Sequence, residues 1–531
     1  MLGDNAGVMG KGSIDASGKT GGGTILLGGD FQGKNGNIQN AQKTFISPDA
    51  KLTADATYAG NGGKVIVWAD DITRYYGNTS AKGGAHGGNG GFVEVSGKQV
   101  LDFIGGVNVS AANGLGGSVL LDPQDILLNT STQPSPPNNA NSTPDVAFAA
   151  APVAGTTTIQ IADITGYSEL FLQATRDITA ANAITMAANN SIRLEANRNI
   201  TINAGANIAV SGTGSINLKA DADNSGGGTL AIGANITSRA GGMALSAANI
   251  TRSAGNIAST GAANANAGNI SITGTGTVNL GATTVTANGG TSSGTNPGRS
   301  GGAITISGAG LTTTGAITAN GSNAIGTNQN GGNGGAVTLD AGGATPDIRL
   351  GGNISAIGGN RVGTGTAGNG GGFWAKDATT NTANVTVNTS GGTVAGAGGN
   401  IRFDSALNED ATARTLTLTA GTGAVTLADG SPTNALTTLT TTGASNTLGS
   451  VQTKGAQTYT GATNLNGALA TLGTAGADIV TFNSPVTLTG NSSLTTAGGV
   501  GDNISIAQTV TVTLTWRLTQ AHRAMCRPVR S

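Results

Sequence analysis

Ile184-Thr185-Met186, Ile192-Arg193-Leu194, Ile200-Thr201-Ile202, Ile208-Ala209-Val210 and Ile216-Asn217-Leu218 follow one another at a strict interval of eight residues. The first and third residues of each triplet are apolar. That is the two-residue period of a strand with one face buried. The five residues between triplets are rich in Asn, Ala, Gly and Ser, which suit tight turns. Such a unit is too short to close a hairpin sheet around a core. It is long enough to form one side of a coil that stacks on the next. The pattern predicts an all-β fold, a β-solenoid, with each isoleucine buried and Met186, Leu194, Ile202, Val210 and Leu218 beside it. Thr185, Arg193, Thr201, Ala209 and Asn217 are predicted to face out.

Composition narrows the choice. Of 531 residues, 91 are glycine, 3% are aromatic and 10% are charged. The glycines keep no Gly-X-Y period, which excludes collagen. Low-complexity disorder is the competing reading, and the many apolar triplets speak against it. A solenoid needs few large side chains, because each coil buries only a thin slice of core against two neighbours. A net charge of −1 leaves no basic footprint for nucleic acid. No apolar run reaches the ~18 residues of a membrane-spanning helix. The single cysteine, Cys526, means that disulfides do not hold the fold. Residues Met1 to Gly7 lack the charged and apolar regions of a signal peptide. The repeat is already running at Gly21-Gly22-Gly23-Thr24-Ile25-Leu26-Leu27, with no capping unit before it. The chain is therefore expected to be a fragment whose start lies upstream.

A second repeat marks residues 1–130. Paired glycines precede apolar triplets at Gly62-Gly63-Lys64-Val65-Ile66-Val67, Gly90-Gly91-Phe92-Val93-Glu94-Val95 and Gly116-Gly117-Ser118-Val119-Leu120-Leu121. Steps of 28 (90 − 62) and 26 (116 − 90) residues suit three short strands and three turns per coil. The motif returns at Gly301-Gly302, Gly334-Gly335 and Gly398-Gly399. These glycines are expected to supply positive φ at the corners. From 131 to 155 the pattern stops, and five of the twelve prolines fall there; proline cannot donate to a ladder, so this reads as a linker or loop. Repeats resume over 156–515, irregular and Thr-rich between about 360 and 480. Residues 516–531, with four arginines and no glycine, read as a non-repeat basic tail, expected to be disordered.

One block has a familiar look. Gly62 to Asp70 (Gly-Gly-Lys-Val-Ile-Val-Trp-Ala-Asp) leads through Tyr76-Gly77 and Ala81-Lys82-Gly83-Gly84 to Gly87-Gly88-Asn89-Gly90-Gly91-Phe92-Val93-Glu94-Val95-Ser96-Gly97-Lys98. Gly117-Ser118-Val119-Leu120-Leu121-Asp122-Pro123-Gln124-Asp125-Ile126 closes it. This resembles the exoproteins of the filamentous haemagglutinin type, secreted by the two-partner route of Gram-negative bacteria. The match is specific over residues 60–128 and compositional over much of 156–510. Val480 to Gly490 also looks like the repeats of that family. The resemblance implies a right-handed parallel β-helix, export through a partner barrel in the outer membrane, a secreted or cell-surface location, and attachment to cells or surfaces. The departures are specific too. That family carries a secretion domain at its N-terminus, with Asn-Pro motifs; here Asn-Pro occurs once, at Asn296-Pro297, far inside the repeats. Arg-Gly-Asp is absent, and the chain does not end in a barrel.

No residue is assigned to catalysis, a cofactor or a metal. His86, in Gly84-Ala85-His86-Gly87-Gly88, reads as an exposed turn residue. Gly290-Thr291-Ser292-Ser293-Gly294 has the letters of a nucleophile elbow without a following helix or a nearby histidine. Gly363, Gly365 and Gly368 match a dinucleotide fingerprint only as letters, since glycines follow where a helix should begin. Asp221 with Asp223, and Asp70 with Asp71, are the tightest acidic pairs. General acid–base work needs acids converging on one face, and aspartate is a common turn former. A calcium site at Asp221 and Asp223 is conceivable but not assigned. Gly498-Gly499-Val500-Gly501-Asp502-Asn503 approaches a calcium nonapeptide, with Asp one place early. Repeated Asn-x-Ser/Thr matches, such as Asn199-Ile200-Thr201, follow from composition.

The expected role is an adhesin shaft acting by binding, without hydrolytic or lyase activity. Three rivals are kept: the shaft of a contact-dependent toxin-delivery exoprotein, a β-helix polysaccharide-degrading enzyme, and an ice-binding face built from Thr415–Thr419 and Thr437–Thr442. The third needs Thr-x-Thr in register on successive coils, and the spacing here is uneven.

Overall fold

Every strand pairing between the strands named below is parallel, and each strand lies against its counterpart one coil further along. The structure, a computed structural model, describes residues 1–130, 156–164, 166–343, 347–473, 478–499, 501–512 and 517–518. The Pro-rich stretch 131–155 and most of the tail, including Cys526, lie outside them. Of the tail, Arg517–Leu518 pairs with Ser493–Leu494. The chain is 44% strand, with no α-helix among the described residues. It is a parallel β-helix. It resolves into two compact units: Met1–Ser238 with Ala244–Asn249 and Ser253–Gly255, and Arg239–Met243 with Ile250–Arg252 and Asn256–Ser531.

In the first unit a coil is a triangle of short strands. Lys64–Ala69, Ile72–Tyr75 and Asn78–Ser80 make one coil. Phe92–Gly97, Val100–Phe103 and Gly106–Asn108 make the next, in register on all three sides. Inward residues stack in files: Val67, Val95, Leu121, Leu172, Leu194 and Leu218 face one another from coil to coil, and all are fully buried. Each such side chain contributes about 1.5–3 kcal/mol by leaving water.

The eight-residue interval is one side of this triangle. Ile184 pairs with Ile208 and Ile192 with Ile216, 24 residues apart, three intervals of eight. Ile200 instead meets Leu230, because the turn from Asp221 to Gly228 is enlarged. All ten predicted core residues are buried. Thr185 is exposed, and Arg193, Thr201, Ala209 and Asn217 are half-buried on the outer side.

The paired glycines have another cause than the one expected. None of Gly62, Gly63, Gly90, Gly91, Gly116 and Gly117 has a positive φ. All but Gly116, which faces the Ser168 side chain, sit where the chain packs backbone to backbone. A Cβ on Gly91 would lie 2.0 Å from the carbonyl oxygen of Gly63, and one on Gly117 2.0 Å from that of Gly91. Glycine recurs because no side chain fits between coils spaced ~4.8 Å apart.

The second unit repeats the scheme with an aromatic pair set into aliphatic files. Ile272, Ile306, Leu339, Ala375, Phe403 and Leu427 are in register, and Phe373 packs on Phe403 with ring centroids 5.3 Å apart. Further on, the corners flatten. Thr438–Leu448 is one strand of eleven residues that covers two sides. Its first half pairs with Thr415–Thr419 and its second with Ala424–Leu427. The core there turns polar. Tyr459 Oη donates to Gln457 Oε1 (2.9 Å), and Gln457 Nε2 donates to Thr453 Oγ1 (3.0 Å) and the Ala470 carbonyl (2.8 Å).

Candidate functional site

A strand exposed on one face alternates, yet Lys64–Ala69, Phe92–Gly97 and Ser118–Asp122 are buried at every position after the first. Their outward row reads Ile66, Glu94, Leu120. What covers it is a strap, residues 28–42. It leaves the first coil after Leu27 and crosses the outer face of the next ones. Phe31 packs edge-on against Phe92 at 5.8 Å. Gly33 (φ 60°) lies against the Trp68 indole, where a Cβ would come within 2.5 Å of the ring. Asp30 pairs with Lys64 at 3.2 Å. Asn40 Nδ2 donates to Asp70 Oδ1 (3.1 Å), which also accepts from Trp68 Nε1 (3.1 Å).

Beneath the strap lie two acids. The backbone N–H of Gln32 (φ 54°) faces both carboxylate oxygens of Glu94, at 3.1 and 3.2 Å. Ser96 Oγ donates to Glu94 Oε1 at 3.0 Å. Asp122, the register partner of Ser96, is 7% exposed, and its Oδ1 has no hydrogen-bond partner among the described residues. Lys34 Nζ donates to Gln32 Oε1 at 2.6 Å, and Gln32 Nε2 donates to Gln173 Oε1. Burial pushes Glu94 up to about 8, with the Asp122 charge adding to the rise and the Gln32 amide and Ser96 hydroxyl opposing it. Burial likewise pushes Asp122 up to about 7, against the pull of Lys34. Asp30 moves the other way, down to about 2, held by donors from Asn35 and Phe31 and then by Lys64.

Two aromatic groups stand out in the open. At one corner of the first unit Tyr58 and His86 stack tilted at 4.3 Å, with Lys19 Nζ 5.8 Å from the Tyr58 ring. In the second unit an outward row runs Thr305, Thr338, Trp374, Arg402, Thr426. Trp374 is 38% exposed. Its Nε1 donates to Asp404 Oδ2 at 2.7 Å. The Lys376 ammonium and the Arg402 guanidinium lie 4.8 and 5.1 Å from its ring. Lys376 pairs with Asp340 at 2.8 Å, and Arg402 with Asp404. The cluster offers an aromatic surface framed by donors and acceptors, the chemistry of a binding patch.

The residues singled out in the sequence are placed as follows. His86 is exposed in its turn. Ser292 is buried, and its hydroxyl donates to the Pro297 carbonyl at 2.8 Å. No helix follows Gly363, Gly365 and Gly368; the next element is the strand Phe373–Ala375. Asp221 (φ 57°) gathers its own turn: Ser225 Oγ and the Gly226 and Gly227 amides donate to its Oδ1 at 3.0, 2.9 and 3.3 Å. Asp223 accepts from the Ser225 amide, so both acids are engaged by donors of the same turn. Asp502 Oδ2 accepts from the Gly498 and Gly499 amides at 2.7 and 2.8 Å, a turn as well. Among the described residues no three His, Cys, Asp or Glu side chains converge to hold a metal, and no helix is long and apolar enough to cross a membrane.

The strap and its acids were missed. Their trace was the unalternating run Val65-Ile66-Val67-Trp68, the mark of a strand covered on both faces. The class is thus a parallel β-helix with side-chain rows presented on its outer faces. No protein-family model matches this chain, and no curated protein matches it.

Proposed function

We propose that the chain is the shaft of a surface-exposed adhesin that attaches to cells or surfaces through its outer faces. The observation that carries this reading is the exposed Trp374, framed by Arg402, Lys376 and Asp404. An indole left in water forgoes about 25 cal/mol per Å², and Trp and Arg dominate binding hot spots. Stacked coils multiply such contacts, and weak contacts sum to avidity. The likeness of residues 60–128 to filamentous haemagglutinin-type exoproteins supports a secreted or cell-surface location and an outer-membrane partner barrel as export route.

The test is binding of the purified chain to cultured cells and to arrayed glycans and matrix proteins. Trp374→Ala and Arg402→Ala should each weaken binding at least about tenfold, the size of a modest hot spot. Binding unchanged by both substitutions would overturn the reading. Incubation with a polysaccharide panel, assayed for new reducing ends or unsaturated products, separates it from an enzyme. Turnover that Asp221→Ala or Asp223→Ala abolishes would replace it.

A further inference from the structure

We propose that residues 28–42 are a pH-sensitive strap, closed over Glu94 and Asp122 when these are protonated and lifted from the outer face when they ionise. The geometry sets two acids as diagonal neighbours. Glu94 pairs with Leu120 and Asp122 with Ser96, so they sit on adjacent strands of one face, two residues out of step. Both are almost wholly out of water. The strap meets this face at Gln32, whose amide donates to Glu94 and whose Nε2 reaches across to Gln173, next to the Leu172 that pairs with Leu121.

The charged groups around the pair do not cancel it. On the strap these are Asp30 and Lys34. On Lys64–Ala69 and just after it they are Lys64 and Asp70, and on Glu169–Ala174 the acid is Glu169, which accepts from Ser118 Oγ at 3.2 Å. Lys64 is engaged by Asp30. Lys34 reaches Gln32 Oε1 rather than the unpartnered oxygen of Asp122. Two carboxylates charged together under this cover repel one another and lack water. Lifting the strap returns both to solvent, where they hold their protons less tightly than when covered. A rise in pH therefore favours the lifted state.

The strap carries its own reporter. Trp68 is 4% exposed and lies under Gly29 and Gly33. With Trp374→Phe and Trp516→Phe it becomes the only tryptophan. In that background, acrylamide quenching of Trp68 should rise between pH 6 and pH 9. Hydrogen exchange of 28–42, divided by the intrinsic rate at each pH, should show an opening equilibrium at least about tenfold larger, one pKa unit's worth. Adding Glu94→Gln and Asp122→Asn, which keep shape and remove titration, should flatten both responses, with circular dichroism showing the fold intact. Should the double variant fail to fold, Glu94→Gln alone should remove most of the response. Quenching and exchange that stay level with pH in the parent, or rise equally in the neutral variants, would overturn the proposal.

Discussion

Ile192 lies directly against Ile216 in the neighbouring coil, 24 residues further along the chain. Both are 1% exposed. The period visible in the sequence is thus a side, and the physical repeat is three sides. Each isoleucine is held by the coils before and after it, so a vacancy cannot be filled from within its own coil.

Ile192→Ala should accordingly cost about 2–5 kcal/mol, the usual toll of a large-to-small core change. Thr185→Ala, on an exposed position, should stay within about 0.5 kcal/mol. Urea unfolding followed by circular dichroism compares the two. Equal midpoints would mean that the isoleucine file is not the core.

Gly91→Ala should destabilise by about 1–3 kcal/mol, as overpacking does. Its Cβ would meet the Gly63 carbonyl oxygen at 2.0 Å, and backbone cannot swing aside as a side-chain tip can. Gly36→Ala is the control: a Cβ there meets nothing within 4 Å, and its φ is not positive. Thermal melts should drop for the first substitution and hold for the second.

Local regularities of the chain carried most of this fold. Alternation placed Ile184 to Leu218 with the correct faces, and the Gly-Gly steps gave the coil length. The role of those glycines was less legible, since a glycine needed for positive φ and one needed for close approach look alike in sequence. The Thr-rich region hid its long strand because the core changes from aliphatic to polar at Thr441, Asn446 and Gln457. The strap left the faintest trace. Gln32 meets Glu94 across 62 residues and Gln173 across 141, and such partners share no local pattern. Trp374 and its charged frame come together only because three coils are in register.

That polar core permits a sharp test. Tyr459→Phe removes the donor to Gln457 Oε1 (2.9 Å) and leaves a buried acceptor unmet, at about 1–3 kcal/mol. Adding Gln457→Leu removes that acceptor, together with the amide bonds to Thr453 and Ala470. If the unmet acceptor dominates, the double variant should recover part of the loss. Additive losses in a double-mutant cycle would show that the remaining partners matter more.

Stability should also depend on pH with opposite signs for the acid on the strap and the two acids beneath it. Asp30 is held at about 2, below its ordinary 3.8. Its contribution is complete above the ordinary value and fades as pH falls towards 2. Glu94 and Asp122 stand at about 8 and about 7, above their ordinary 4.5 and 3.8. Their favourable burial is complete below the ordinary values and is lost as pH climbs through 7 and 8. Denaturation midpoints should therefore peak on the acid side, near pH 4 to 5, and decline towards pH 9. Asp30→Asn should make the acid limb shallower and leave the alkaline limb as it is; the rest of the acid limb belongs to other carboxylates held below their ordinary values, Asp177 and Asp410 among them. Glu94→Gln with Asp122→Asn should flatten the alkaline limb alone. An alkaline limb as steep in that double variant as in the parent would place its origin elsewhere than under the strap.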